Sequence, residues 1–463
     1  DCGDHLQGDN ATYYFNYVDT ADGEHLLSRI FNYMKYDAVV VGNHDLEAGH
    51  PVYDRMAREL DCPYLASNAV SVEDGKAWFD RYAVIDRDGL RTVVIGFTNP
   101  NVKSWISKDK YEGLDFVPVD SIAASLVAEV RRRERPDVVI LAVHCGLGKE
   151  DVPSIENNAL YLAAHVPGID AVIASHDHRR LAAKVMGADG DSVCVVESGS
   201  KAQAVSRLSI SAVKKGKRLV SLSVEPAVAE VSHLVPCGRY MEEFGQDWQT
   251  VYDFSNRTIG RFTTPLDLSY RQDRRSDYLA FIHYVQLSCP GVEVSFTAPL
   301  VSEGVMPAGE LKFNDLFTLY RFENLLYVVE MTGREIKDYL EGAYDKRITG
   351  SDFLYNYDTA GGLIYTVSPS AGKGSRVRII SMWDGTPFDM SRTYRVAMTS
   401  YRASGAGGLL AEAGLDRETM DSRIVEIYPE IREMLRDFIE NQGDINPREI
   451  AAAKKTGTWR FVK

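Results

Sequence analysis

Residues 39–45 read Val39-Val40-Val41-Gly42-Asn43-His44-Asp45, an apolar run that ends directly in an amide, an imidazole and a carboxylate. Two later stretches repeat the pattern: Ile140-Leu141-Ala142-Val143 leads into His144, and Val172-Ile173-Ala174 into Ser175-His176-Asp177-His178. Short apolar runs rich in β-branched residues read as buried strands. In open α/β sheets ligands gather outside the carboxyl ends of the strands, so three such endings predict one shared face. A fourth cluster, Asp1-Cys2-Gly3-Asp4-His5-Leu6-Gln7-Gly8, places a carboxylate in a glycine-flanked loop.

Working outward, residues 92–97 and 192–196 are also strand-like, and helical patterns lie between the strands. One such helix, capped by Asp120, carries Ile122, Leu126, Val127 and Val130 on one face and ends in Arg131-Arg132-Arg133, cations well placed at a helix C-terminus. Strands alternating with helices predict a layered α/β domain. Near residue 233 the pattern changes, and residues 239–259 read as one polar helix with Met241, Phe244, Trp248 and Tyr252 at helical spacing. Beyond it come a helix from Ser276, strands at 292–296, 326–330 and 394–399, and helices at 333–344 and 430–441. A chain of 463 residues is too long for one ordinary core. The expected division is a first domain at 1–232, a connector helix at 233–259 and a second domain at 260–463.

Composition narrows the class. Apolar residues make up 45% and charged residues 25%, the balance of a globular protein. A net charge of -14 argues against a nucleic-acid polymer or an anionic membrane surface as partner. No apolar run reaches the roughly 18 residues of a membrane-spanning helix. The six cysteines are widely spaced with no Cys-x-x-Cys pair, which excludes zinc-ribbon and thioredoxin-type readings. The chain opens on Asp1 inside a motif, so its start reads as trimmed or processed, and the lack of a leader leaves the compartment open.

Asp, Asn and His donors in four clusters suit divalent ions of hard or borderline character. Such donors can hold two ions about 3.5 to 4 Å apart, which together make water acidic and clamp a phosphoryl oxygen. Each cluster alone is weak: a lone histidine such as His144 is ordinarily a hydrogen-bonded structural residue, and His25, His50, His165, His233 and His283 are read that way. The ordered set, most of it at strand ends, carries the metal reading.

That order, Gly-Asp-x-x-Gln-Gly, Gly-Asn-His-Asp, His, then His-x-His, resembles the calcineurin-like metallophosphoesterase domain, in particular the two-domain 5′-nucleotidase and 2′,3′-cyclic-nucleotide 2′-phosphodiesterase family. The resemblance implies an α/β fold: an N-terminal metallophosphoesterase sandwich of mixed sheets flanked by helices, plus a C-terminal α+β nucleoside-binding domain. It implies two divalent metal ions, zinc, manganese or similar. Asp4 would bridge them, Asn43, His144 and His176 would complete one ion, and His178 would help hold the other. His44 would contact the transferring phosphoryl group or the leaving oxygen, oriented by Glu47. The family carries an Asp-x-His pair ahead of the Gly-Asp motif, and nothing stands before Asp1. The expectation is one ion held well and the second poorly. The alternative is then a nucleotide-binding protein with little or no turnover.

The second half continues the resemblance through Thr318-Leu319-Tyr320-Arg321-Phe322-Glu323-Asn324, Met331-Thr332-Gly333-Arg334-Glu335-Ile336 and Ser400-Tyr401-Arg402-Ala403-Ser404-Gly405. Phe322 and Tyr401 would sandwich a nucleobase and Asn324 would bond its edge; aromatic stacking is worth about 1 to 3 kcal/mol per base. Val294-Ser295-Phe296-Thr297-Ala298-Pro299-Leu300 stands where many 5′-nucleotidases carry Asn-Gly-Gly-x-Arg, so Arg321 and Arg402 become candidate replacements for that positive charge. The implied function is metal-dependent hydrolysis of nucleotide phosphoesters, with a nucleotide as partner and a periplasmic or extracellular setting.

Overall fold

The strand Val138–Val143 is buried along its whole length and packs on both faces with alternate residues. Val139, Leu141 and Val143 pack with the helices Val119–Glu134 and Ala159–His165. Val138 and Ile140 face the long ribbon Ala204–Lys215 and Arg218–Glu230 through Leu208, Ile210, Leu222 and Val224. Ala142 packs instead with Val40 and Leu65 of the small parallel pair Val39–Val40 and Tyr64–Leu65. The layers follow from this division: helices, a sheet, then β-structure. This computed structural model describes all of residues 1–463 except Ala21, Asp22, Lys217 and Ser351. It divides into two compact units, Asp1–Lys103 with Lys108–Trp248, and Ser104–Ser107 with Gln249–Lys463.

In the first unit a six-stranded sheet runs in the order Tyr82–Arg87, Leu90–Phe97, Val138–Val143, Ala171–Ala174, Ser192–Ser198, Arg180–Met186. The four inner strands are parallel and the two edge pairings antiparallel, a mixed sheet. Val143 pairs with Ala174, so His144 and Ser175 leave the sheet side by side. The third apolar run forms only the short strand Val39–Val40, in its own two-stranded pair rather than in the large sheet. Its backbone meets the chain start, where the Val40 N–H donates to the Asp1 carbonyl at 3.1 Å.

The single helix expected over 239–259 is broken. Two helices stand there, Gly238–Glu243 and Gly245–Ser255, and residues from Thr258 enter the strand Thr258–Phe262. Phe244 interrupts the helix (φ -101, ψ 9) because its ring is buried against Tyr33 and Tyr240, at 5.4 and 4.8 Å between centroids. Arg29 adds a two-pronged ion pair to Asp247 at 2.7 and 3.1 Å. Met241, Trp248 and Tyr252 are exposed, so their helical spacing marked no buried stripe. A smaller difference concerns Asp120, which lies in the first turn of its helix, Pro118 being the capping position.

The second unit is built on a five-stranded sheet in the order Thr359–Gly361, Val294–Thr297, Thr393–Thr399, Leu325–Thr332, Ile424–Glu430. The helix Gly333–Thr349 begins with a capping box between Thr332 and Glu335 and buries Ile336, Tyr339, Leu340, Ala343 and Tyr344 against the sheet. The helix Asp277–Gln286, capped by Ser276, is buried on nearly all sides. His283 on it is fully enclosed between Ser295 Oγ at 2.7 Å and Thr359 Oγ1 at 3.0 Å, the structural role its isolation in the sequence suggested.

Burial holds the His283 imidazole neutral, with its pKa lowered to about 3. Between that value and the ordinary one near 6.5 the unfolded chain binds the extra proton, so stability is lost as pH falls through this window. His283→Gln removes the linkage. Its thermal-melting deficit against the wild type should be largest near neutral pH and narrow towards pH of about 4; a deficit independent of pH would contradict this.

Candidate functional site

The loop 1–8 is held in place by one side chain. Asp45 is fully buried in the helix Asn43–Glu47, and its carboxylate accepts the backbone N–H groups of Asp4 (3.0 Å), His5 (2.8 Å), Leu6 (2.8 Å) and Gly42 (2.7 Å). A carboxylate receiving several N–H bonds is a strong, directional anchor. The loop is braced on its far side: His25 Nδ1 accepts from the Leu27 N–H, so Nε2 carries the proton and donates to Asn16 Oδ1 at 3.0 Å. Asn16 Nδ2 in turn donates to the Leu6 carbonyl at 2.7 Å.

Two glycines let the loops close on one another. A Cβ at Gly42 would fall 2.2 Å from Asp4 Oδ1, and one at Gly3, where φ is 92, would fall 2.6 Å from His144 Nδ1. Asp4 (φ 63), His176 (φ 93) and His178 (φ 59) all adopt left-handed backbone that non-glycine residues avoid. Strain gathered on three candidate metal-binding residues is a mark of a functional site, since surrounding contacts must maintain it.

Four donors converge as a result. Asp4 Oδ2 lies 3.0 Å from His144 Nε2, and the ligand atoms of Asp4, His144 and His176 all fall within 4.8 Å of one another. Asn43 Oδ1 lies 3.1 Å from His144 Nε2 and 3.0 Å from His176 Nδ1. His144 Nδ1 is 2.7 Å from the Cys2 carbonyl, which can only accept, so that nitrogen carries a proton and the neutral ring turns the lone pair of Nε2 towards Asp4 and Asn43. On the far side of His176, Nε2 meets Glu156 Oε1 at 3.2 Å. Lone pairs of two oxygens and two imidazoles facing one another call for positive charge between them, and the donor set fits a divalent cation. In the bare cluster part of that charge is protonic: burial opposes it, but Asp4 raises the pKa of His144, and the neighbouring imidazoles hold the Asp4 carboxyl well below the usual carboxylate range despite its burial.

His178 lies outside the tight group, yet close enough for Asp4 and His44 to act on its charge. Burial lowers its pKa and keeps it neutral, the form a ligand needs. His44 is different. Its Nδ1 sits 3.0 Å from Glu47 Oε2, and the same oxygen accepts from Gln7 Nε2 at 2.5 Å. Burial works against the charged ring, but Glu47 and then Asp4 outweigh it and push the pKa up to about 10. A third of the side chain remains exposed, at 33%, so a cationic donor faces solvent beside the cluster.

In the second unit, Leu326 pairs with Thr399, which brings the segment before one strand and the segment after the other to the same end of the sheet. Phe322 and Asn324 precede the strand Leu325–Thr332, and Tyr401 sits on the short helix Ser400–Ala403; all three are half-buried. Buried arginines hold both segments. Arg432 donates to the carbonyls of Tyr320 (3.1 Å) and Arg321 (3.0 Å) and pairs with Glu323 at 3.6 Å. Arg402 is enclosed with Asp358, which it binds at 2.6 Å, and donates to Asn356 and to the carbonyls of Tyr355 and Ala406. Arg402 is therefore no replacement for a phosphate-binding arginine: its guanidinium is consumed by the fold. Arg321 lies over the Phe322 ring at 5.2 Å and lines a cavity of about 400 Å³ with Ser302, Phe317 and Leu354.

Comparison with known proteins places this geometry. A model of the calcineurin-like phosphoesterase family matches residues 2–180, and a model of the 5′-nucleotidase C-terminal domain matches residues 258–413. The chain belongs to the family that joins these two domains, whose phosphoesterase half works with divalent metals. It is 25% identical over 92% of its length to the trifunctional nucleotide phosphoesterase protein YfkN of Bacillus subtilis, of which it spans 33%. It is 23% identical over 96% of its length to the 2′,3′-cyclic-nucleotide 2′-phosphodiesterase/3′-nucleotidase of Salmonella typhimurium, of which it spans 80%. The fold matches that of a putative 5′-nucleotidase from Staphylococcus aureus with a TM-score of 0.81 at 22% identity, covering 100% of this chain and 90% of that one.

Sequence reasoning missed Asp45, Gly3, Gly42 and Glu156. Asp45 stands inside the quoted Gly42-Asn43-His44-Asp45, but its partners are backbone groups some forty residues away. Substituting Asp45→Asn turns an amide N–H towards donors that need an acceptor. It should cost about 2 kcal/mol of stability, the worth of hydrogen bonds to a charged group, and weaken zinc retention against a chelator at least tenfold. Gly42→Ala should lose zinc in the same assay by displacing Asp4, and unchanged zinc retention in either variant would contradict this account of the loop.

Proposed function

We propose that this chain hydrolyses nucleotide phosphoesters with the help of divalent metal ions, as a 2′,3′-cyclic-nucleotide 2′-phosphodiesterase and 3′- or 5′-nucleotidase. The observation that carries the reading is the convergence of Asp4, Asn43, His144 and His176, with His144 fixed by the Cys2 carbonyl in the tautomer that presents Nε2 to the cluster. In this reading those four residues hold one ion, and Asp4 with His178 contributes to a second. Ions held there supply Lewis acidity towards a phosphoryl oxygen and towards water.

The chain's own residues do the rest. The charged His44 ring, kept in place by Glu47, donates to a phosphoryl or leaving oxygen as negative charge develops there. Nearby cations would pull its pKa back towards neutrality, where a proton donor works best. Phe322 and Tyr401 stack a nucleobase and Asn324 bonds its edge. The metal-binding half occupies 1–232, the join 233–259 and the nucleoside-binding half 260–463, and the family resemblance carries with it a periplasmic or extracellular setting.

The test is turnover of 2′,3′-cyclic AMP, 3′-AMP and 5′-AMP with manganese or zinc in excess and after chelation. Metal-dependent hydrolysis of at least one is expected; nucleotide binding without turnover in either metal would contradict the proposal. His44→Gln should lower kcat on the order of a hundredfold, as loss of one transition-state donor does, while metal content stays unchanged. Phe322→Leu should raise KM about tenfold with kcat nearly intact, as loss of one base stack does.

A further inference from the structure

The segment after His144 doubles back on itself and brings one acidic side chain, to which the proposed chemistry gives no task, to the outer edge of the cluster. Gly146 pairs as an isolated bridge with Asn157, and a Cβ at Gly148, where φ is 66, would run into the Asn157 carbonyl. Ser154 Oγ accepts the N–H groups of Glu156 and Asn157 at 3.3 and 3.1 Å. From the loop after the strand Leu90–Phe97, the fully buried Asn99 donates through Nδ2 to the Glu156 carbonyl at 3.2 Å, and its Oδ1 accepts the Asn101 N–H at 3.0 Å. Two loops thus pin the backbone of Glu156. Its side chain turns to His176, where Oε1 lies 3.2 Å from Nε2, while Oε2 is 3.5 Å from Asn101 Nδ2.

A neutral imidazole carries its one proton and its one lone pair on different ring nitrogens. His176 turns Nδ1 towards Asn43 Oδ1 inside the cluster and Nε2 towards Glu156 outside it. A cation in the cluster needs the lone pair on Nδ1, so the proton has to sit on Nε2, and Glu156 Oε1 is the acceptor that favours this arrangement. Without that acceptor, Asn43 Oδ1, 3.0 Å from Nδ1, would draw the proton to the nitrogen that faces the cation. The Cys2 carbonyl does the same for His144 from the other side of the cluster. We propose that Glu156 is a positioning residue for the metal centre, selecting the metal-binding tautomer of His176 and fixing its ring. This rests on the reading of His176 as a metal ligand. Partners that orient metal ligands typically cost about tenfold to a hundredfold in affinity when removed.

The proposal separates two substitutions. Glu156→Gln keeps an oxygen that can accept from His176 Nε2, whereas Glu156→Ala keeps none; the side chain is 38% exposed, so truncating it opens no core. Zinc affinity, measured by competition with a chromogenic chelator on the full chain, should stay within about threefold of wild type for Gln and fall about tenfold or more for Ala. Proton–nitrogen correlation spectra of the zinc-loaded chain, labelled on histidine and assigned with His176→Gln, give a second readout. The His176 Nε2 proton should exchange slowly with water in the wild type and in Glu156→Gln, and rapidly in Glu156→Ala. Zinc binding by Glu156→Ala equal to wild type overturns the positioning role. Binding by Glu156→Gln as weak as by Glu156→Ala, or rapid exchange of the Nε2 proton in the wild type, overturns the role as acceptor. Should Glu156→Ala fail to fold, Glu156→Gln against wild type decides alone on the same two readouts. A wild-type chain that binds no zinc overturns the metal reading and this proposal with it, a result distinct from the others.

Discussion

The carboxylate of Asp45, taking four backbone N–H groups from two loops, is the constraint on which the rest of the candidate site depends. The residues it joins, Asp4 to Leu6 and Gly42, include one strained backbone, that of Asp4. Without a fixed acceptor those donors would turn to water and the loop would relax. With it, Asp4 is delivered against His144 and the His44 N–H at contact distance, and the absence of side chains at Gly3 and Gly42 becomes a requirement. The sheet supplies the other half of the geometry. Val138–Val143 and Ala171–Ala174 end in register, so His144 and the turn bearing His176 and His178 emerge from neighbouring parallel strands.

Buried polar groups recur as the means of shaping loops in both units. Asp45 organises donors around an acceptor, while Arg402 and Arg432 organise carbonyls around a cation. Each arginine is enclosed with a carboxylate, Asp358 or Glu323, so its charge is met and its hydrogen bonds are spent on loop backbone. Removing one member of such a set leaves the others buried and unsatisfied, which is why these contacts specify one loop conformation. The half-buried Phe322 and Tyr401 are presented from segments built in this way, and the half-buried His44 from the short helix that carries Asp45.

Much of this was legible in the sequence where chemistry and periodicity coincide. Apolar runs ending in His144 and His176 gave the strands and their shared edge, and the order of Asp4, Asn43, His144 and His176 named donors that the fold brings together. His283, alone on an apolar helix, is the buried structural histidine that pattern suggests. Other features were not legible because they depend on partners distant in the chain. Asp45 binds backbone, which has no sequence signature, and Arg402 looks like a surface cation until Asp358 is placed beside it. The broken helix at Phe244 has the same origin, since its cause is the ring of Tyr33 on another element. The short strand Val39–Val40 shows the limit of reading strands alone: an apolar run identifies buried β-structure but not the sheet it joins.

The central claim is that these constraints preorganise one cation site on Asp4, Asn43, His144 and His176. Anomalous diffraction at the zinc absorption edge, from crystals of the chain grown with zinc, tests it most directly. The account predicts a zinc peak within about 2.0 to 2.2 Å of Asp4 Oδ2, Asn43 Oδ1, His144 Nε2 and His176 Nδ1, with the Asp45 contacts unchanged. A zinc ion held elsewhere, or a loop 1–8 that has moved away from Asp45 to bind it, would contradict the claim.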